Sequence, residues 1–122
     1  AATLESVVDD YARLALGFQP GTRWEYSPGA GFNVLGRIVE VVSGQSLWDF
    51  MREQIFEPLR MHDTFYYLPE DRLERYTVGY QRGRDGAITP VDPADGSSRF
   101  VRAGRPQVMF PGAGGLVSTV HD

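Results

Sequence analysis

The stretch Pro20-Gly21-Thr22-Arg23-Trp24-Glu25-Tyr26-Ser27 leads directly into a strongly patterned apolar run, and the two together decide the fold of this chain. The Pro-Gly pair predicts a turn, and Ser27 is a favourable N-cap for the helix that follows. That helix is predicted over about 28–43, with Gly44 at its C-terminal end. Because apolar residues lie on nearly all of its sides, we expect the helix to be buried. The turn therefore places Tyr26 and Ser27 at a helix start, where loops often carry functional residues.

Two further helices are predicted on either side of this segment. Thr3 is placed to cap a helix over about 4–16, and Gly17 is placed to end it. Ser46 opens a third helix, predicted over about 47–56, because the acidic residue three positions later suits a capping box. Both helices have an apolar stripe at helical spacing, which indicates one face packed against a core.

Beyond these helices the pattern changes to that of short strands and turns. Asp85-Gly86 is a strong hairpin signal between strand-forming residues, and it predicts a β-hairpin over about 76–90. The stretch 91–104 is rich in Pro, Asp, Ser and Gly, which predicts a surface loop. Ser118 or Thr119 is placed to cap another helix. The fold class is therefore predicted to be mainly α with a small β-hairpin, an α+β arrangement.

The composition is that of a globular protein and excludes several classes of function. The 122 residues are 42% hydrophobic and 23% charged, with a net charge of −4. An acidic chain with scattered arginines is not expected to bind nucleic acid, and no apolar run is long enough to span a membrane. Without cysteine there is no disulfide and no thiolate metal site. The compartment stays open between the cytoplasm and the periplasm or exterior. The use of arginine without any lysine indicates a GC-rich bacterial genome.

Tyr26 and Ser27 are the first candidates for chemistry. Tyr26 can act as a general acid or base beside a suitable cation. The alternative is a tyrosine packed at a helix entrance. Ser27 is a weak candidate nucleophile, because no Gly-x-Ser-x-Gly motif surrounds it and no lysine follows three positions later. Its alternative role is to cap the helix.

Two other sets of residues are weaker candidates. His62 and His121 each precede an aspartate, but they lack the i, i+4 spacing of a helical metal site. We therefore expect surface residues and no metal. Gly112–Gly115 can cradle an anion through backbone N–H groups, or can form a tight turn that requires positive φ. The segment lacks the lysine of a phosphate loop, and we expect no cofactor.

Three stretches of the chain resemble the penicillin-recognising serine hydrolases, a family of class C β-lactamases, DD-peptidases and, most closely here, their esterase relatives. They are Phe18 to Ser27 (FQPGTRWEYS), Leu35 to Gly44 together with Ile55 to Met61, and Pro111 to Thr119. The order and separation of the stretches also fit this family, and the resemblance covers nearly the whole chain. It implies the helical subdomain of the β-lactamase/transpeptidase-like fold.

The resemblance also implies an activity. Such enzymes hydrolyse esters or amides through an acyl-enzyme, in which a serine of a Ser-x-x-Lys motif attacks and a tyrosine of a Tyr-x-Asn motif helps to move protons. Tyr26 matches that tyrosine and is the catalytic residue that the resemblance implies. The asparagine of the motif is replaced by Pro28, which cannot hydrogen-bond a substrate amide. The resemblance implies a small-molecule ester or amide substrate, and this replacement favours an esterase-like member over β-lactam recognition.

No Ser-x-x-Lys motif occurs in the sequence, so 1–122 is expected to be a single partial domain, the helical middle segment of such an enzyme. Because a catalytic unit fails as a whole when its members are removed, we expect the isolated chain to be inactive. The alternative is a non-catalytic binding or interaction module derived from the helical subdomain. An excerpt of this kind exposes apolar surface around Trp24, Phe32 and Phe110, which allows self-association.

Overall fold

The computed structural model describes residues 2–92 and 109–122 and has an α+β fold, in which helices accompany a two-stranded antiparallel sheet. In chain order the elements are α1 (Leu4–Ala12), α2 (Ala30–Ser43), α3 (Leu47–Met51), a π-helical segment (Arg52–Phe56), a 3₁₀-helix (Glu70–Arg75), β1 (Gly79–Arg82) and β2 (Ile88–Asp92). The described parts of Ala1–His62 and Val108–Gly114 form one compact unit, and those of Asp63–Gln107 and Gly115–Asp122 form a second. None of the helices in the described residues has both the length and the apolar character needed to cross a bilayer.

The first helix, α1, begins with a capping box and ends earlier than predicted. The Thr3 side chain accepts the Ser6 N–H at 3.1 Å, and the Ser6 hydroxyl accepts the Thr3 N–H at 3.0 Å. The helix ends at Ala12, so the prediction over 4–16 is wrong at its C-terminal end. Leu14 beyond it is exposed, and a further helical turn gains little stability when its side chains make no apolar contacts.

The central helix, α2, starts later than the predicted 28–43. The chain first makes a turn, Gly29 takes the N-cap position, and Ala30 is the first helical residue. Ser27 is therefore not the N-cap residue, which corrects the prediction. Its Oγ nevertheless accepts the Gly31 N–H at 3.2 Å, so the serine satisfies one of the free donors at the start of the helix.

The apolar face of α2 is exposed, which corrects the prediction of a buried helix. Leu35, Ile38 and Val42 share one face of the helix and are 59%, 52% and 82% exposed. Within the described part of the chain, the buried residues of α2 are Asn33 and Gly36. The described residues therefore cover one side of α2 only. An uncovered apolar face of this kind is typical of a surface that meets another part of a protein.

The covered side of α2 packs on α1 and α3 around Gly36. A Cβ atom added at Gly36 would lie 2.9 Å from a methyl group of Leu47 and 3.2 Å from one of Leu4. Both leucines are core residues. Glu40 adds a polar connection, because one carboxylate oxygen accepts the Leu47 N–H at 3.2 Å and the other accepts Arg37 Nη1 at 3.1 Å. These contacts hold α2 in place from one face.

The third helix, α3, is opened by Ser46, whose Oγ accepts a backbone N–H of the first turn at 3.1 Å. Over the predicted 47–56, the structure has α3 followed directly by the π-helical segment Arg52–Phe56. The chain then turns through Arg60, which adopts a positive φ of 60°. A left-handed residue at this place closes the helix end in the manner usual for helix C-termini.

The second unit contains an antiparallel bridge, the 3₁₀-helix and the β-hairpin. Phe65 and Val117 form the bridge through two N–H···O bonds of 2.8 Å. In the hairpin, β1 pairs antiparallel with β2. The hairpin predicted over 76–90 therefore has a later first strand, Gly79–Arg82, and a second strand that continues to Asp92.

Two predictions for the last third of the chain have mixed outcomes. The surface loop predicted over 91–104 is wrong at Val91 and Asp92, because both lie in β2. The remainder of that stretch lies outside the described residues. Thr119 Oγ1 accepts the Asp122 N–H at 3.1 Å, the contact expected of a helix cap, but 119–122 are not helical, so the predicted helix stays a prediction.

Glycines with positive φ mark the turns. Gly44, which ends α2 as predicted, has a φ of 71°, and Gly86 in the hairpin has a φ of 83°. Gly114 and Gly115 have φ values of 139° and 94°, which agrees with the tight-turn interpretation of their segment. Residues with a Cβ atom rarely adopt these conformations, so the local sequence determines these four positions.

Candidate active site

The segment that carries Tyr26 is fixed by a turn before it and by α2 after it. Thr22 bonds twice to the Gln19 carbonyl, through its N–H at 3.2 Å and through its hydroxyl at 2.6 Å. The Arg23 guanidinium lies 4.3 Å from the centre of the Phe18 ring, which is a cation–π distance. These contacts define the conformation of the turn that precedes Tyr26.

Tyr26 lies at an open hollow of about 340 Å³. The hollow is lined by Trp24, Glu25, Tyr26, Ser27, Gly31, Phe32 and Leu35. The Tyr26 side chain is 62% exposed, and its hydroxyl has no hydrogen-bond partner within the described residues. The phenol is therefore free to donate to, or accept from, a molecule bound in the hollow.

The walls of the hollow are mainly apolar. Trp24, Phe32 and Leu35 contribute aromatic and aliphatic surface. The charged lining residue is Glu25, whose carboxylate is paired with Arg23 Nη2 at 2.9 Å. Because this charge already has its counterion, the hollow is suited to a neutral apolar group next to a phenol.

Ser27 has a structural contact in place of a catalytic one. Its Oγ accepts the Gly31 N–H at 3.2 Å. The residues that line the hollow include neither histidine nor lysine, so they offer no base of the kind that activates a serine. Ser27 therefore bonds to the first turn of α2 without being its N-cap residue, which is Gly29.

The other sequence candidates do not assemble a site. His62 and His121 are exposed. In the part of the chain that the structure describes, no group of three or more His, Asp or Glu side chains is placed to hold a metal ion. A Cβ atom at Gly112 would lie 2.1 Å from the Phe32 carbonyl oxygen, so glycine is required there for close backbone packing.

The amino-acid sequence matches the family model described as Beta-lactamase over residues 1–122. The chain belongs to the Beta-lactamase family. The resemblance to penicillin-recognising serine hydrolases, based on three stretches of sequence, is thereby confirmed.

Relatives of this Beta-lactamase family member include esterases and a penicillin-binding protein homologue. Lovastatin esterase of Penicillium rubens is 37% identical over 83 residues, which are 67% of this chain and 20% of that protein. Esterase EstB of Burkholderia gladioli is 34% identical over 109 residues, which are 84% of this chain and 26% of that protein. The octameric penicillin-binding protein homologue from Pyrococcus abyssi has a TM-score of 0.66 and 26% identity, and the match covers 98% of this chain and 24% of that one. The chain thus spans about a fifth to a quarter of the length of these proteins.

The structure shows which side chains surround Tyr26, the residue that the sequence motif identified. The sequence identified Tyr26 through its motif, and it identified Trp24 and Phe32 only as exposed apolar surface. The structure places all three at one hollow, together with Leu35 from the exposed face of α2. Leu35 was predicted to be buried, because a helical pattern alone does not reveal which face remains uncovered.

The second unit of this Beta-lactamase family member has a further cavity, of about 290 Å³, that was not predicted from the sequence. At its edge the Asp63 carboxylate accepts two bonds from Arg75, at 2.9 and 2.7 Å, and one from Arg72 at 2.9 Å. The hydrogen bonds that Arg75 donates to Asp63 and the negative charge of that carboxylate raise the pKa of the Arg75 guanidinium above its ordinary value. Both arginines bond to one carboxylate, so the cluster is a structural ion-pair network. The i, i+3 spacing of the arginines was its only sequence signal.

Proposed function

We propose that this chain is the helical part of a serine hydrolase that cleaves carboxylic esters through an acyl-enzyme. Membership of the Beta-lactamase family over the whole sequence supports a hydrolase. The two esterases, with 37% and 34% identity, support ester substrates. In this proposal 1–122 forms a partial domain, and the nucleophilic serine and its lysine come from other residues of the enzyme, since this sequence contains no lysine.

The observation that carries the proposal is the environment of Tyr26. Its phenol is exposed and free of hydrogen bonds within the described residues, at the edge of an apolar-walled hollow. A group that moves protons during acyl transfer must reach the reacting atoms, and a phenol already committed to a neighbouring side chain would have to break that bond first. Tyr26 is therefore proposed to shuttle the proton between the nucleophile and the leaving group.

The substitution at Pro28 supports an ester over a β-lactam or peptide substrate. Pro28 stands where the motif has asparagine, and it lies in the turn that precedes α2. Proline has no side-chain donor or acceptor for a substrate amide. An ester without an acylamino side chain makes no such demand, so the loss of the asparagine costs less with this class of substrate.

The test uses the longest polypeptide that the gene for this chain encodes, with p-nitrophenyl butyrate as substrate. Tyr26→Phe should lower kcat by about 10²- to 10⁴-fold, the usual contribution of general acid–base catalysis. Tyr80→Phe is the matched control, because Tyr80 is also 62% exposed and lies on β1 away from the hollow lining. The control should retain full activity.

Two outcomes would count against the proposal. One is an active enzyme whose kcat is unchanged by Tyr26→Phe. The other is saturable ester hydrolysis by the 122-residue chain alone, because that chain has no Ser-x-x-Lys motif and is predicted to be inactive.

A second candidate function, an interaction module, is favoured by the exposed face of α2. Leu35, Ile38 and Val42 would be an unusual surface for a module that works alone in water. Light scattering and thermal unfolding of the 122-residue chain test this candidate, because a monomer with a sharp thermal transition would favour a self-sufficient module. Association that rises with concentration and is weakened by Ile38→Glu would instead favour an excerpt whose α2 face meets the rest of an enzyme, and would count against the module.

A further inference from the structure

One wall of the hollow at Tyr26 is formed by Trp24, a large apolar side chain that is mostly exposed to water. Trp24 is 83% exposed and stands two residues before Tyr26, in the same segment without helix or strand that precedes α2. A tryptophan this exposed leaves most of its apolar surface in water. The residues on both sides of it form an ion pair, with Arg23 Nη2 at 2.9 Å from Glu25, and the Arg23 guanidinium also lies 4.3 Å from the centre of the Phe18 ring. The indole is thus flanked by side chains that already have partners, while its own surface remains exposed.

The opposite side of the hollow is formed by α2. Phe32 contacts the Tyr26 ring edge to face with centroids 6.4 Å apart, and Leu35 stands one turn further along the helix. Trp24, Phe32 and Leu35 therefore present apolar surface from two separate segments around one phenol. The volume, about 340 Å³, lies at the lower end of the range for small-molecule sites. It suits one arm of a ligand rather than a complete large molecule.

The charge pattern selects a neutral ligand. Glu25 is the charged residue of the lining, and its carboxylate already pairs with Arg23, so the lining offers no unpaired charge to an ionic ligand. An aliphatic or aromatic arm would bury the faces of Trp24 and Leu35, while its polar end would remain near the Tyr26 hydroxyl. A charged arm would lose its hydration without gaining a partner.

We propose that Trp24, Phe32 and Leu35 form a subsite for the apolar arm of a neutral ester, and that Trp24 determines how strongly long arms are preferred over short ones. This inference rests on the proposed function, because the ester group is taken to react beside Tyr26. The arm belongs either to the acyl group or to the alcohol, and both have the same chemistry at these walls. Trp24 is a specificity residue in this proposal and takes no part in proton transfer.

The test compares Trp24→Ala with the unmodified enzyme, again in the longest polypeptide that the gene encodes. For p-nitrophenyl esters, the ratio of kcat/KM for hexanoate to kcat/KM for acetate should fall by about 10-fold or more, mainly through KM. A parallel series of acetates, ethyl against hexyl, reports the alcohol side, and the series whose ratio falls identifies the arm. Trp24→Phe should keep most of the preference. Ile88→Ala, at a position on β2 that is 69% exposed and outside the hollow lining, should leave both ratios unchanged.

A binding measurement separates this inference from the proposed function. Titration calorimetry with 1-hexanol should show binding that Trp24→Ala weakens by about 10-fold, and hexanoate anion should bind less tightly than the alcohol. If Tyr26→Phe abolishes hydrolysis but Trp24→Ala changes neither ratio nor the affinity for 1-hexanol, the subsite is overturned and the proposed function stands. If hydrolysis does not depend on Tyr26 while 1-hexanol binding depends on Trp24, the proposed function is overturned and the apolar site stands.

Discussion

The rings of Tyr26 and Phe32 meet edge to face, with centroids 6.4 Å apart and 69° between their planes. Tyr26 lies in the segment without helix or strand that precedes α2, and Phe32 lies in the first turn of α2. The contact therefore relates the position of the phenol to the helix. Aromatic pairs in this geometry contribute about 0.5–1.5 kcal/mol, which is enough to favour one orientation of a side chain that is otherwise largely exposed.

The first prediction concerns that contact. Phe32→Leu keeps an apolar wall but removes the aromatic ring, so kcat for p-nitrophenyl acetate should fall by about 2- to 13-fold, as expected for a loss of about 0.5–1.5 kcal/mol. Phe32→Tyr keeps the ring and should retain most of kcat. Steady-state kinetics of the longest encoded polypeptide check both variants. Equal values of kcat for the two variants would argue against a role for the ring in orienting Tyr26.

The second prediction concerns the close packing of α2 on its neighbours. Gly36→Ala places a Cβ atom 2.9 Å from Leu47 and 3.2 Å from Leu4, so the free energy of unfolding should fall by about 1–3 kcal/mol. Gly31→Ala, in the same helix, meets its nearest atom at 3.5 Å. This control should leave stability unchanged or raise it by up to about 1 kcal/mol, because alanine favours helix. Urea denaturation of the chain, followed by helical circular dichroism, measures both changes.

The third prediction concerns the connection between α2 and α3. Glu40→Ala leaves the Leu47 N–H without its side-chain acceptor and should cost about 1–3 kcal/mol. Glu40→Gln keeps an oxygen for that N–H and loses only the charge opposite Arg37, so it should cost less than about 1 kcal/mol. Amide hydrogen exchange at the start of α3 should be faster in Glu40→Ala than in Glu40→Gln. Identical exchange in both variants would show that the N–H bond to Glu40 contributes nothing.

The fourth prediction concerns the ion-pair network of the second unit. Asp63→Asn removes the carboxylate that both Arg72 and Arg75 share, and amide exchange in the 3₁₀-helix should become faster. Asp71→Asn is the control, because Asp71 is far more exposed and approaches Arg72 only at 3.4 Å. Its exchange pattern should stay that of the unmodified chain. A similar acceleration in both variants would contradict a specific role for Asp63.

The pH dependence of that network follows from the direction of one shift. Asp63 raises the pKa of Arg75, so the stabilisation that Arg75 contributes is complete below the ordinary arginine pKa. It is lost only as the pH rises through the raised value. Between about pH 6 and 9, Arg75→Gln should therefore change the thermal midpoint by a constant amount. A difference that grows or shrinks across this interval would show that another titrating group controls the pair.

The parts of the fold that were predictable depend on neighbours in sequence. Thr3 and Ser46 were recognised as caps because a hydroxyl bonds to an N–H only three residues away. Tyr26 was recognised because its motif is local. The hollow around Tyr26 was not predicted, because Leu35 lines it only as a result of the direction that α2 takes after the turn. Asp63 and its arginines were missed because their contact depends on the path of the chain between them.

The sequence by itself determined that three helical segments and a hairpin form, that Gly44 ends α2, that a tight turn lies at 112–115, and that the family motif lies at Tyr26. Each of these depends on backbone conformation and on hydrogen bonds within a few residues. Only the tertiary structure decided that α1 ends at Ala12, that Gly36 is the contact point of three helices, and that the Leu35 face of α2 stays uncovered. Periodicity reveals that a helix has an apolar surface. Which part of that surface is buried depends on the segments that pack against it, because burial is a property of distant contacts.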